Sequence, residues 1–283
     1  SRQFNMMFKT EVGAVEDSSS VAYLRPETAQ GIFVNFKNTV DAYHPKLPFG
    51  MAQIGKAFRN EITPRDFIFR CREFEQMEIE YFIEEGDWKT LFENWLQDTY
   101  SFAEALGIKT TLMHDFEVPE DERAHYSKRT VDIMFDFPFG QKELLGLAYR
   151  TDYDLKAHTT ASGVDLSYFD EETKERFIPH IVETSAGLAR HFLMFLDNAY
   201  TEEETESGDT RVFLKLHGAL APIKCAVFPL LKNKPELVAK AREVFLTLRT
   251  KFMCEFDDNG NVGKRYRRQD EIGTPFCVVV DFD

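Results

Sequence analysis

The residues with the clearest chemical potential lie in one run, FRCREFEQMEIEYF, residues 69–82. Side chains two apart on a strand share a face. Arg70, Arg72, Phe74, Gln76, Glu78 and Glu80 therefore point one way, and Phe69, Cys71, Met77, Ile79 and Tyr81 the other. Upstream, GMAQIGKAFRNE reads as a second strand, on which Arg59 and Glu61 share a face with Gln53, Gly55 and Ala57. The intervening ITPRDFIF is a loop, so the two runs form an antiparallel pair. If their polar faces coincide, Arg59, Glu61, Arg70, Phe74 and Glu78 floor one hollow. Arginines suit phosphates through charge-assisted bonds. Phe74 can stack on a flat base, and a carboxylate further along can hold an ammonium group. The set reads as a site for a nucleotide beside an amine. The same pattern also fits a solvated sheet face laced with cross-strand ion pairs.

A second stretch, ETSAGLAR, puts Glu183 at the end of an apolar strand, Ser185, Ala186 and Gly187 at a turn, and Arg190 in the first turns of a helix. Small residues let a ligand approach the backbone, and a helix start favours anions. The two stretches together suggest two halves of one phosphate-binding pocket.

The elements that must position these residues are legible in outline. RPETAQGIFVNFKNTVDAY suits a helix starting near Pro26. WKTLFENWLQDTYSFAEALG is an amphipathic helix with a glycine stop. KELLGLAYRTDYDL and RFIPHIVET are further strands, and SAGLARHFLMFLDNAY is a helix capped by Thr184 or Ser185. TEEETESGD is an acidic solvated loop, after which the character changes. APIKCAVFPLL and PFCVVVD are apolar strands flanking the helix KPELVAKAREVFLTLRTKF, a pattern of parallel, doubly covered sheet. A domain boundary falls near residue 216.

The 283 residues suffice for one large domain or two ordinary ones, and 43% hydrophobic content fits a globular core. A formal charge of −14 argues against nonspecific coating of nucleic acid, though not against a local basic patch. The four scattered cysteines form no CxxC pair and fit a reducing, cytoplasmic compartment. No run approaches a membrane span, no signal peptide precedes the chain, and the seven histidines have no metal-ligand spacing. Both ends read as cuts through a longer protein.

AFRNEI followed by RCREF resembles the second signature motif of the class II aminoacyl-tRNA synthetases, and ETSAGLAR the third, with its glycine-rich turn partly replaced by serine and alanine. YLRPETAQGIFVNFKN, HYSKRTVDIMFDFPFG, ELLGLAYRTDYDL and YRRQDEIGTPF are similar to stretches of the dimeric, single-polypeptide glycyl-tRNA synthetase family. The resemblance covers essentially the whole chain. It implies an α+β fold: an antiparallel sheet flanked by helices over residues 1–216, then an α/β anticodon-binding domain over 217–283. The first signature motif, which builds the dimer interface, is expected upstream of this chain, and the anticodon domain is expected to continue beyond it.

The resemblance further implies ATP-dependent attachment of glycine to tRNA(Gly) through glycyl-adenylate, with ATP, Mg2+, glycine and tRNA(Gly) as ligands and a homodimer in the full-length protein. Arg59 would hold the α-phosphate and the glycine carboxylate, with Asn60 and Glu61 beside it. Glu61 would meet the adenine amino group or orient an arginine. Arg70 would reach the terminal phosphates, Phe74 would stack on adenine, and Arg190 would close the far side. Glu143 and Glu183 would ligate magnesium. Glu27, Glu78 and Glu183 would cage the glycine ammonium, with Ser185 as hydroxyl partner and Arg150 bracing the acids. Lys264, Arg265, Arg267 and Arg268 would face tRNA. Plainer roles stand beside these: ion pairs for Arg59 and Glu143, a core ring for Phe74, a helix-start charge for Glu27, and a solvated helix face for the basic run. Two rival functions are a non-catalytic nucleic-acid-binding relative and a ligase acting on something other than tRNA.

Overall fold

The computed structural model describes residues 5–14, 20–206 and 208–282. It divides into two compact units, one comprising Ser1–Ser101 and Thr110–Leu193, the other Phe102–Lys109 and Met194–Asp283.

The elements that begin in the first unit are β1 (Lys9–Glu11), β2 (Val21–Tyr23), α1 (Ala29–Tyr43), β3 (Phe49–Phe58), β4 (Glu73–Ile83), α2 (Trp88–Ala105), β5 (Met113–Glu117), β6 (Arg129–Phe137), β7 (Gly140–Thr151), α3 (Tyr153–Ser162), β8 (Tyr168–Phe169), β9 (Arg176–Phe177), β10 (His180–Gly187) and α4 (Leu188–Ala199). A six-stranded antiparallel sheet in the order β3-β4-β10-β7-β6-β5 dominates the unit. Helix α1 buries Ala29, Ile32, Phe33 and Phe36, a stripe at helical spacing, in a cluster with Phe82, Leu155, Leu166 and Ile181. The Phe36 ring lies 4.7 Å from that of Phe82. This apolar plug seals one end of the sheet face on which the polar residues of β4 and β10 stand.

The antiparallel sheet with flanking helices is the fold the sequence leads one to expect, and several details differ. Helix α1 starts at Ala29, three residues after Pro26. The preceding turn has other duties, because the Pro26 carbonyl is bonded to Arg59 and the Thr28 amide to Glu78 of β4. Thr184 and Ser185 cap nothing: both lie within β10, which runs to Gly187 before α4 begins. The strand pairing of β3 and β4 stops at Phe58 and Glu73, so Arg59, Glu61, Arg70 and Arg72 stand on the connection. The connection is still zipped, by Arg59 N to Arg72 O at 2.9 Å and by an Arg65–Arg70 bridge. Strand β6 was not anticipated, although RTVDIMFDF alternates and buries Val131, Ile133, Phe135 and Phe137.

The second unit continues with β11 (Tyr200–Glu204), β12 (Thr210–Leu214), β13 (Cys225–Pro229), α5 (Pro235–Leu248), β14 (Cys254–Phe256), α6 (Val262–Glu271) and β15 (Phe276–Val280). The acidic stretch expected as a loop is strand in its first four residues, 201–204, which belong to β11. Its glutamates are exposed, and Glu203 is tolerated opposite Arg211, at 3.4 Å. Strand β13 runs parallel to both β14 and β15, as the continuous apolar runs suggest. Helix α5 packs Ala241, Val244, Phe245 and Leu248 onto this sheet.

Helix α6 carries the basic run, and one member must be reassigned. Arg265 is 1% exposed. Its guanidinium donates to the carbonyls of Pro229, Asp258 (3.2 Å), Asn259 (3.2 Å) and Gly260 (2.8 Å). It is a buried staple, not an RNA-facing charge. Arg268 is exposed but paired with Asp257 at 2.9 Å, Arg267 is exposed and paired with Glu271 at 3.0 Å, and Lys264 is exposed. Arg265→Ala strands several buried carbonyls. It is expected to lower the unfolding free energy by at least about 2 kcal/mol, against less than about 0.5 kcal/mol for Lys264→Ala, in denaturant titrations.

Candidate active site

The site is built on the face shared by β4, β10, β7 and β6. Register sets Glu78 opposite Ser185, Glu80 opposite Glu183, Ser185 opposite Gly146 and Gly146 opposite Asp132. On β4 the polar alternates are the buried ones. Gln76, Glu78 and Glu80 are 6%, 2% and 0% exposed, while Met77, Ile79 and Tyr81 on the other face are only half-buried. A strand that buries carboxylates more deeply than its own apolar residues needs partners for them.

Glu78 has four. One oxygen accepts from the Thr28 amide at 2.9 Å and from the Thr28 hydroxyl. The other accepts from Gln76 Nε2 at 2.7 Å and Ser185 Oγ at 2.9 Å. These bonds occupy about the four acceptor positions a carboxylate offers. Glu78 therefore organises its neighbours and has no position left for a substrate ammonium, contrary to its expected part in an acidic cage. Glu183 does face the cavity. Its Oε1 accepts from Arg150 Nη1 at 2.8 Å. Arg150 also grips Asp154 through two bonds of 2.8 Å, and its guanidinium lies 3.8 Å over the Tyr126 ring. Beneath them, neither Glu80 oxygen has a hydrogen-bond partner. Burial first, and then the charge of Glu183, push the Glu80 carboxyl well above the usual carboxylate range.

Two cavities open on this face. One is lined by Glu61, Phe69, Arg70, Phe74 and Ala189, the other by Glu27, Glu78, Arg123, Tyr126, Asp132 and Glu183. Arg59, Gln76, Glu143 and Ser185 line both, so the two are halves of one cleft. Arg59 Nε donates to the Pro26 carbonyl at 3.1 Å, and its guanidinium lies 5.3 Å from the Phe74 ring centroid. Arg70 reaches Glu61 at 3.4 Å. Arg190 lies 4.4 Å over Phe69 and is held by the Glu143 carbonyl at 2.8 Å and carboxylate at 3.3 Å. Asn60 does not line the cleft; its amide and side chain bond Met6 and Asn5. Glu27 is half-buried and accepts from Gln30 at 2.9 Å.

Glu143 and Glu183 do not meet as a metal site. Glu183 pairs with Ala148, five positions along β7 from Glu143, roughly 15 Å of strand. Among the described residues no three His, Cys, Asp or Glu side chains gather as a metal cage. Glu143 instead neighbours Asp132, which sequence reasoning overlooked. Burial and then Glu143 push the Asp132 carboxyl up to about 6, against the pull of Arg190. The signal was the alternation of β6, which puts Asp132 on the polar face between Val131 and Ile133. Thr28, Gln76, Tyr126 and Asp154 are further members of the site that carried no assigned role.

Comparison with known proteins now decides the lineage. Residues 8–199 match the model of the tRNA synthetase class II core domain (G, H, P, S and T), and residues 224–283 that of an anticodon binding domain. The chain belongs to the class II tRNA synthetases. It is 55% identical over 282 residues to a glycine–tRNA ligase of Lachnospira eligens and 51% identical over 299 residues to one of Thermus thermophilus. All of this chain is covered in both, but it spans only 60% and 59% of those proteins. A solved Giardia lamblia prolyl-tRNA synthetase in complex with prolyl-adenylate shares the fold, with a TM-score of 0.72 at 17% identity over 97% of this chain and 54% of that one. No helix among the described residues is long and apolar enough to cross a membrane.

Burial, opposed by Arg150, raises the Glu183 carboxyl from 4.5 to about 7. Between these values the folded chain keeps a proton that the unfolded chain releases. The Glu183 contribution to stability is thus fully present below about pH 4.5 and is lost as the pH rises through about 7. Glu183→Gln cannot ionise and is expected to flatten the fall in unfolding free energy between about pH 5 and 8; denaturant titrations across that range would contradict the assignment if both slopes match.

Proposed function

We propose that this chain carries the ATP- and glycine-handling part of a glycine–tRNA ligase, with residues 1–216 catalytic and 217–283 reading the anticodon of tRNA(Gly). The observation that carries the reading is the shared wall of the cleft: Arg59, Gln76, Glu143 and Ser185 border both its arginine-and-phenylalanine half and its acidic half. A nucleotide and a small amine fit such a cleft end to end, with the reacting atoms meeting at Arg59.

In the first step a glycine carboxylate oxygen attacks the α-phosphorus of ATP. The new O–P bond forms as the bond to the β-phosphate oxygen breaks, giving glycyl-adenylate and pyrophosphate. In the second, a hydroxyl of the terminal tRNA adenosine attacks the glycyl carbonyl and AMP leaves. No protein nucleophile is required, so the protein contributes positioning and charge stabilisation. Arg59 is tethered through Nε, which spares its terminal fork for the α-phosphate and the attacking carboxylate. Phe74 offers a ring to adenine, Arg70 reaches the terminal phosphates, and Arg190 closes the far side.

The residues suit magnesium at Glu143 with Asp132 better than at Glu143 with Glu183. The first pair shares a wall and repels, and a hard cation that keeps one or two carboxylates plus phosphate oxygens relieves the repulsion. Bound with ATP, it supplies neutralisation of phosphate charge.

Glycine selection rests on the other half. Arg150, clamped by Asp154 and Glu183 and covered by Tyr126, stiffens the wall of the cleft from behind Glu183 and Tyr126. A methyl group alone discriminates by only about 1–3 kcal/mol in an apolar pocket, so a rigid charged wall adds steric exclusion. Glu183 and Glu27 hold the ammonium, and Ser185 Oγ, whose proton goes to Glu78, keeps a lone pair to accept from it. The full-length protein would act as a cytoplasmic homodimer.

Glycine-dependent ATP–pyrophosphate exchange by the full-length protein tests this, with alanine and serine as controls. Exchange with glycine only is expected, and Arg59→Ala should reduce it at least about 100-fold without unfolding the chain. Full exchange by that variant would contradict the placement of the α-phosphate.

A further inference from the structure

Thr28 occupies the N-cap of α1, where a threonine ordinarily turns its hydroxyl to a helix amide and stabilises the helix by about 1 kcal/mol. It makes no such bond here, and its backbone is already in the helical region, at φ −98° and ψ −15°. Its hydroxyl and its amide N–H both reach 50 residues along the chain to the same oxygen of Glu78. The residue is fully buried. A local rule set aside for a long-range contact marks a place where something other than helix stability is served.

That contact has a defined destination. The second Glu78 oxygen holds Gln76 Nε2 and Ser185 Oγ, and Gln76 also donates to Ser185 at 3.0 Å. Orientation therefore passes from Thr28 through Glu78 to the Ser185 hydroxyl on the cleft wall. The segment that bears Thr28 is itself strapped down. The Arg25 carbonyl accepts from the Phe58 amide at 2.9 Å, Arg25 Nε donates to the Lys56 carbonyl at 2.7 Å, and Pro26 receives Arg59. Glycine at 55 leaves room for the Arg25 guanidinium, which would have to shift if a Cβ stood there, 2.6 Å from Nη2.

We propose that Thr28 is a positioning residue for the amino-acid half of the cleft: by fixing Glu78 it sets the Ser185 hydroxyl and holds Glu27, its neighbour on the strap, over the ammonium position. The proposal rests on the functional reading above. Thr28 touches no substrate and acts through Glu78.

Steady-state exchange by the full-length protein separates the possibilities. Thr28→Val removes the hydroxyl while keeping shape and amide; Thr28→Ser keeps the hydroxyl. Thr28→Ala serves if the extra valine methyl prevents folding. The hydroxyl-less variant is expected to raise the glycine KM about ten-fold while the ATP KM stays within about two-fold, with Thr28→Ser close to wild type. Combined with Ser185→Ala, its effect should be smaller than the sum of the two, because both act on one chain of bonds. A lowered melting temperature with an unchanged glycine KM, or additive effects, overturns the proposal. Absence of glycine-dependent exchange in the wild type would instead bring down the functional reading itself.

Discussion

The interaction on which the site depends is the grip of one buried arginine on a group of buried acids. Arg150 is 1% exposed and faces Glu183 and Asp154, with Glu78 and Glu80 on β4, the strand beyond that of Glu183. Removing an ion from water costs several kcal/mol even after relaxation, and four acids around one base cannot all be charged. The chain resolves this in three ways. Asp154 and Glu183 share Arg150 directly. Glu78 accepts four hydrogen bonds that stand in for water. Glu80, whose oxygens have no hydrogen-bond partner, has its carboxyl pushed well above the usual carboxylate range by burial and the charge of Glu183. Glu183 and Glu27 are left bordering the acidic half of the cleft.

The antiparallel sheet is the frame that makes this possible. Residues distant in sequence become neighbours by register alone: Glu80 with Glu183, Glu78 with Ser185, Ser185 with Gly146. The acids are held by strand backbone, which limits their freedom to move apart as they repel. The half of the cleft lined by arginines and phenylalanines is built differently. Its arginines stand on the zipped connection and at the start of α4, are partly exposed, and rest on aromatic rings, Arg59 by Phe74 and Arg190 over Phe69. Such side chains have more freedom to shift than the buried, strand-held acids of the other half.

Much of this was legible in the sequence because strand alternation is unforgiving. A period of two placed Phe74, Gln76, Glu78 and Glu80 on one face, and Arg59, Phe74, Glu78 and Arg190 do border one cleft. What could not be read was which acids are spoken for. Glu78 and Glu183 look alike in sequence and differ only in having four donors against one arginine. Arg265 looked like its exposed neighbours because the carbonyls that capture it come from a loop and a strand end. The start of α1 was misread because the tertiary demands on Pro26 and Thr28 outweigh local helix propensity. Asp132 was missed because its strand was missed, and with it the partner that Glu143 has in place of Glu183.

The central claim is that one cleft receives both substrates end to end. A crystal structure of the full-length protein with a non-hydrolysable glycyl-adenylate analogue tests it most directly. The account predicts adenine against Phe74, the phosphate-like group at Arg59, and the ammonium between Glu183 and Glu27 with Arg150 bracing the wall behind Glu183. An analogue bound with its ammonium on Glu78, or outside the face shared by β4 and β10, would contradict it.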